Sequence, residues 1–227
     1  MNHDVILKEL ENLEKLTSTN SHMHGSGSVL WWNSKLDVSK SYDDFLVHRM
    51  NQVDNIRDIL KKLIDKGELK ENFKLLDMCA AEGSRGCLLK KTFPKSMFYA
   101  FDITRYSAEK EVKKNGVNWF SIDLEKLLNS SVEFNFDVIL MINSYRGLLD
   151  TDKDNRRGRL NKFIKRNSKF FMFTQTAQIQ SIPGQVSISN RKSTNSRMNE
   201  EYNHVESIIN PKTMTLHCYK IKNIGGK

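Results

Sequence analysis

The chain has 227 residues, 38% of them hydrophobic, which is enough for one ordinary α/β domain with room for an N-terminal extension. Its 36 Lys and Arg against 27 Asp and Glu leave a net charge of +9, which permits a polyanionic partner without demanding one. No apolar run approaches the roughly 20 residues of a membrane span, and the first residues lack the basic-then-apolar order of a secretory leader.

Three cysteines, Cys79, Cys87 and Cys218, have no metal-ligand spacing, so the expectation is reduced thiols, a cytoplasmic setting and no metal site. Residues 4–17 place Val5, Ile6, Leu10, Leu13 and Leu16 at helical spacing among Lys and Glu. Residues 17–28 are rich in Ser, Thr, Asn, His and Gly and read as a loop, followed by the apolar cluster Leu30-Trp31-Trp32. A second helix is predicted over 42–66, where Phe45, Leu46, Met50, Val53, Ile56, Leu60 and Leu63 form a stripe ending near Gly67.

From residue 73 the pattern changes to alternating strand and helix. Strands are predicted at 73–79, 97–103, 117–122, 136–142 and 169–174, and helices at 84–93, 107–115 (ended by Gly116) and 155–166. Such alternation implies a parallel, doubly wound α/β sheet with helices on both faces. Residues 176–197 read as an extended loop or irregular hairpin, 198–209 as a helix, and 213–224 as one or two final strands. The expected division is an N-terminal helical extension or lid over 1–70 and a Rossmann-like domain over 71–227.

In an open α/β sheet, ligands bind outside the carboxyl ends of the strands, where the first strand-to-helix turn must let a ligand approach the backbone. Here that turn is Cys79-Ala80-Ala81-Glu82-Gly83, small at every position but one. A dinucleotide fingerprint fits Ala81-Glu82-Gly83-Ser84-Arg85-Gly86 in degenerate form, with Asp102 at a plausible distance for a ribose contact. A nicotinamide-dependent oxidoreductase is therefore one reading.

The run Leu75-Leu76-Asp77-Met78-Cys79-Ala80-Ala81-Glu82-Gly83 fits a second reading better. It resembles motif I of the class I S-adenosylmethionine-dependent methyltransferases, an acid at a strand end followed by a turn often written G-x-G-x-G. On that resemblance Asp77 is the acid, and Cys79, Ala81 and Gly83 stand for the three glycines. Cys79 is a departure, because Cys takes a positive φ less readily than Gly. The resemblance further implies that Asp102, ending the second strand, holds the ribose hydroxyls, a task suited to a carboxylate that accepts two donors. It implies that Asp123, after the third strand, reads the adenine amino group, and that residues 136–143 correspond to motif IV.

The resemblance spans about residues 73–175. It implies a mostly parallel, seven-stranded, Rossmann-like sheet and S-adenosylmethionine as cofactor, with S-adenosylhomocysteine as product. The implied cofactor-binding residues are Asp77, Cys79, Ala80, Ala81, Gly83, Asp102, Ile103, Asp123, Leu124 and Asn143. Each acid has a structural alternative: Asp77 as a strand end, Asp102 and Asp123 as N-caps.

The acceptor is expected over the loop after the fourth strand, Asn143-Ser144-Tyr145-Arg146-Gly147. That loop lacks the Asn/Asp-Pro-Pro-aromatic run of enzymes that methylate base amino groups. It also lacks the Asp expected in 2′-O RNA methyltransferases and in metal-dependent catechol enzymes. Candidate catalytic residues are His48, His204 and Tyr145, the histidines because they titrate near neutrality. Trp31, Trp32, Tyr42, Arg49 and Tyr202 are candidates to surround the acceptor or, equally, to pack the extension on the sheet. A basic helix face, Arg156, Arg157, Arg159, Lys162, Lys165 and Arg166, is either solvated or tracks phosphates. The leading expectation is methyl transfer to a hydroxyl or amine of a small molecule or glycan. The alternatives are an RNA or other polyanion methyltransferase and a catalytically silent Rossmann-like subunit.

Overall fold

The computed structural model describes residues 2–17, 41–42, 46, 50–103, 109–142, 155–176, 202–209 and 214–222. Among the described residues the helices are, in chain order, α1 (His3–Leu16), α2 (Met50–Asp65), α3 (Ser84–Thr92), α4 (Glu109–Lys114), α5 (Leu124–Leu128) and α6 (Arg156–Asn167), with residues 42 and 46 also helical. The strands are β1 (Lys74–Met78), β2 (Met97–Asp102), β3 (Val117–Ser121), β4 (Val138–Met141), β5 (Phe170–Thr176), β6 (Tyr202–Ile209) and β7 (Met214–Ile221).

All seven strands form one sheet in the order β3-β2-β1-β4-β5-β7-β6. The first five run parallel, and β7 is antiparallel to both β5 and β6. The order turns back at β1, where one crossover leads outward to β2 and a later one to β4. That switch point opens a crevice at the carboxyl ends.

The central strands read as continuous apolar runs because both faces are covered. One face carries Leu75, Phe98, Ala100, Val138, Leu140 and Met172 against α2 and α3. The other carries Leu76, Met78, Tyr99, Phe101, Ile139, Met141, Phe171 and Phe173 against α1, α5 and α6. The helices α1 and α2 thus take opposite sides. α1 buries Ile6, Leu10 and Leu13 and leaves Val5 and Leu16 exposed, so its apolar stripe is narrower than the spacing implied. α2 buries Val53, Ile56, Ile59, Leu60 and Leu63. Gly116 ends α4 in a left-handed conformation, φ 80°, as its place in the sequence implied.

One predicted element is wrong. The helix expected over 198–209 is the edge strand β6 wherever that segment is described. Tyr202, Val205 and Ile208 recur every third residue, as on a helix face. The register with β7 shifts between His204 and Glu206, and such a bulge interrupts the two-residue period of a strand. The loop expected over 176–197 lies outside the described residues beyond Thr176.

Candidate functional site

The turn after β1 is built from alternating left-handed residues. Cys79 has φ 55°, Ala81 φ 55° and Gly83 φ 79°. Two of the three are not glycine, and each such residue stores roughly 1–3 kcal/mol of strain that the surroundings must offset. Backbone bonds hold the path: Ala80 N–H donates to the Phe101 carbonyl at 2.8 Å, and Gly83 N–H to the Ala80 carbonyl at 3.1 Å. Trp119 of β3 lies beneath and donates from Nε1 to the Ala81 carbonyl at 3.2 Å. A Cβ on Gly83 would stand 2.7 Å from Trp119 Cδ1, so the third small residue is fixed by both conformation and space.

Charge is concentrated under this turn. Asp77, Glu82 and Arg85 are all buried. Arg85 forks onto Asp77, donating from Nε to Oδ2 at 3.0 Å and from a terminal nitrogen to Oδ1 at 3.1 Å. Burial works against the Arg85 charge, but Asp77, Glu82 and Asp102 outweigh it and the guanidinium is held more firmly protonated than usual. The Ser84 hydroxyl donates to Glu82 Oε1. Asp102, half-buried at the end of β2, accepts from the Ala81 N–H at 2.9 Å. Three carboxylates therefore face one guanidinium at the switch point, an environment that favours a cationic ligand group.

The next carboxyl end is braced by α1. Glu14 Oε1 accepts from the Ser121 N–H at 2.7 Å, and Thr17 Oγ1 accepts from the Asp123 N–H at 3.1 Å. Both bonds satisfy donors at the edge of the sheet and bring the end of α1 beside β3. Asp123 caps α5, its carboxylate accepting from the Glu125 N–H at 2.9 Å.

The structure brings Asp77, Cys79, Ala80, Ala81, Gly83, Asp102, Ile103, Asp123 and Leu124 together at the carboxyl ends of β1, β2 and β3. Within that set Asp77 points to Arg85 and Asp123 serves as a cap. His48, Asn143 and Tyr145 lie outside the described residues, as do Trp31, Trp32 and Arg49. His204 sits on β6, four strands from β1, and bonds Ser207. Tyr42 approaches Cys87 Sγ at 3.6 Å, where burial pushes the thiol up to about 11. Three members of the basic face have partners within the chain. Arg159 pairs with Glu125, Arg166 donates to the Ser130 and Val132 carbonyls, and Lys165 lies 5.5 Å from the Tyr202 ring centroid.

Arg85 and Trp119 were missed by sequence reasoning. Arg85 carried one signal, since a cation in the first turn of a helix opposes the helix dipole and calls for a nearby anion. Trp119 carried none beyond its place in an apolar strand.

No known protein family and no curated protein matches the chain. Among solved structures it is similar to the magnesium protoporphyrin IX methyltransferase of Synechocystis PCC 6803 with bound S-adenosylhomocysteine, at 9% identity and TM-score 0.55 over 94% of this chain and 100% of that one. It is similar to the 16S rRNA methylase ArmA, at 12% identity and TM-score 0.55 over 85% and 97%. A third likeness is to a SAM-dependent methyltransferase from Aquifex aeolicus, at 17% identity and TM-score 0.52 over 78% and 98%. These likenesses establish the architecture: the chain has the class I, Rossmann-like methyltransferase fold.

Proposed function

We propose that the protein is an S-adenosylmethionine-dependent methyltransferase acting on a hydroxyl or amine of a small molecule or glycan. The observation that carries this reading is the turn itself: left-handed residues at Cys79, Ala81 and Gly83, with Asp102 tied to the Ala81 N–H. A turn so shaped lets a ligand approach the backbone, and Asp102 stands where a ribose diol is to be held. The surplus of carboxylate over guanidinium suits a ligand bearing an ammonium and a sulfonium better than the pyrophosphate of a dinucleotide. When bound, S-adenosylmethionine supplies an activated methyl group, so the protein mainly positions the acceptor and receives its proton.

In this reading Asp77 acts through Arg85 and fixes the turn, while Asp102 and the backbone around Ala81 and Gly83 meet the ligand. Asp123 orders the end of β3 beside the adenine. Residues 1–70 act as an extension that braces the sheet and borders the acceptor. The internal partners of Arg159, Lys165 and Arg166 support a compact acceptor over a polyanion, because those cations are already engaged.

Isothermal titration calorimetry tests the ligand assignment. S-adenosylmethionine is expected to bind in the micromolar range and NADH not at all. NADH binding without S-adenosylmethionine binding would replace this reading with the oxidoreductase one, and binding of neither would leave a silent subunit.

A further inference from the structure

The outer half of the sheet holds a polar line that the cofactor turn does not use. Ser207 on β6 lies between two imidazoles, its Oγ 2.7 Å from His204 Nε2 and 2.8 Å from His217 Nδ1. His204 is exposed, Ser207 is half-buried and His217 is only 6% exposed, so the line runs from solvent inward. At its inner end His217 Nε2 is buried and has no hydrogen-bond partner among the described residues.

The register places that nitrogen. Met141, the last residue of β4, pairs with Phe173 of β5, and Phe173 pairs with His217 of β7. His217 is therefore level with the carboxyl end of β4, two strand spacings or roughly 10 Å to the side. Its ring lies 5.3 Å from that of Phe173, on the face that Met141 shares. With Nδ1 engaged by Ser207, Nε2 occupies the outer edge of the ring, away from the backbone.

A buried N–H without a partner is rarer than a buried acceptor without one, which favours the tautomer with hydrogen on Nδ1 and a lone pair on Nε2. Nδ1–H then donates to Ser207, and the Ser207 hydroxyl donates to His204. Resting on the methyl-transfer reading, we propose that His217 receives the proton of a methyl-accepting hydroxyl at Nε2, with Ser207 and His204 positioning it and carrying the proton out. The acceptor oxygen bonds to the methyl carbon as the carbon–sulfur bond breaks, and that bond's electron pair stays on sulfur. The oxygen's proton passes to Nε2, the Nδ1 proton moves to Ser207, and the Ser207 proton moves to His204, which exchanges with water.

The groups facing His217 are His204 and Ser207 from β6, Tyr219 on its own strand and Phe173 on β5, while α6 contributes Lys165 over Tyr202. Burial, with the neighbouring His204, lowers the His217 pKa to about 4 and keeps the ring neutral at pH 7.

Three readouts on the full chain test this. Long-range proton–nitrogen NMR of the histidine rings is expected to show Nδ1–H on His217 at pH 7, and mixed tautomers in Ser207→Ala. Diethyl pyrocarbonate, which acylates neutral imidazole nitrogens, is expected to modify the exposed His204 first and the buried His217 more slowly, as a molecule of acceptor size reaches Nε2, in folded protein loaded with S-adenosylhomocysteine. His217→Gln is expected to bind S-adenosylmethionine within about twofold of the parent. An Nε2–H tautomer, a His217 inert to the reagent while His204 reacts, or a tenfold loss of cofactor affinity in the variant each overturns the proposal. Absence of cofactor binding in the parent fails the methyl-transfer reading and this role with it, whereas the other two readouts report on the site alone.

Discussion

The two ends of the sheet are held by different physics. At the β3-β2-β1 end the carboxyl edge is polar: a buried ion pair, a carboxylate on a backbone N–H, and three left-handed residues in five. At the β5-β7-β6 end rings pack on rings, with Phe173 stacked on Tyr219 at 5.8 Å and Tyr202 edge-on to Tyr219 at 6.3 Å. Buried charges and strained backbone cost stability, and such costs concentrate where a ligand needs a fixed partner. The aromatic end carries little of this cost. There Ser207, joining two histidines, runs a polar line in among the rings.

The comparison breaks most visibly at Arg85. Arg85→Leu leaves Asp77 buried without its partner, and chemical denaturation is expected to show a loss of about 3–5 kcal/mol. Replacing both residues by Leu is expected to recover most of that loss. If the double variant is as weak as the single one, the pair is not the source of the cost.

Gly83→Ala comes next, at roughly 1–3 kcal/mol, because it adds a side chain at positive φ and drives it into Trp119. An equivalent loss from Gly→Ala at Gly67, also left-handed but with nothing within 4 Å, would assign the effect to φ alone.

At the other end, His217 has a folded pKa of about 4, below the ordinary value of 6.5. Folding therefore favours its neutral form. That stability is fully present above pH 6.5 and is lost as pH falls through 4. Denaturation curves from pH 7 to 4 are expected to be flatter for His217→Phe than for the parent. Parallel curves would contradict the depressed pKa.

The smallest effect is expected at Cys79. Cys79→Gly relieves left-handed strain of about 1–2 kcal/mol but adds unfolded-state freedom of about 0.5–1 kcal/mol, a net gain of about 0.5–1 kcal/mol. A loss above about 1 kcal/mol would mean that the side chain's packing matters more than its φ.

Much of the polar end was legible in the sequence. Small residues after an apolar strand marked the turn, and Asp102 and Asp123 followed at strand ends. Cys79 stood out as a poor glycine substitute, yet it adopts φ 55° within the bonded frame of Ala80, Phe101 and Trp119. Asp77 was legible as important but not as the partner of Arg85, since nothing in a linear spacing of eight shows that a helix turn returns one residue over the other. The aromatic end was harder to read. The bulge at His204 and Glu206 gave β6 a helical look, and the Ser207 bridge exists only once β6 and β7 pair.

Calorimetry of S-adenosylmethionine binding to the parent and to Asp102→Ala addresses the central claim most directly. A micromolar parent affinity that falls at least tenfold in the variant, with the variant still fully folded at the assay temperature, is the expected result. Equal affinity in the two proteins would contradict the assignment of the β1 turn and Asp102 as the adenosyl site.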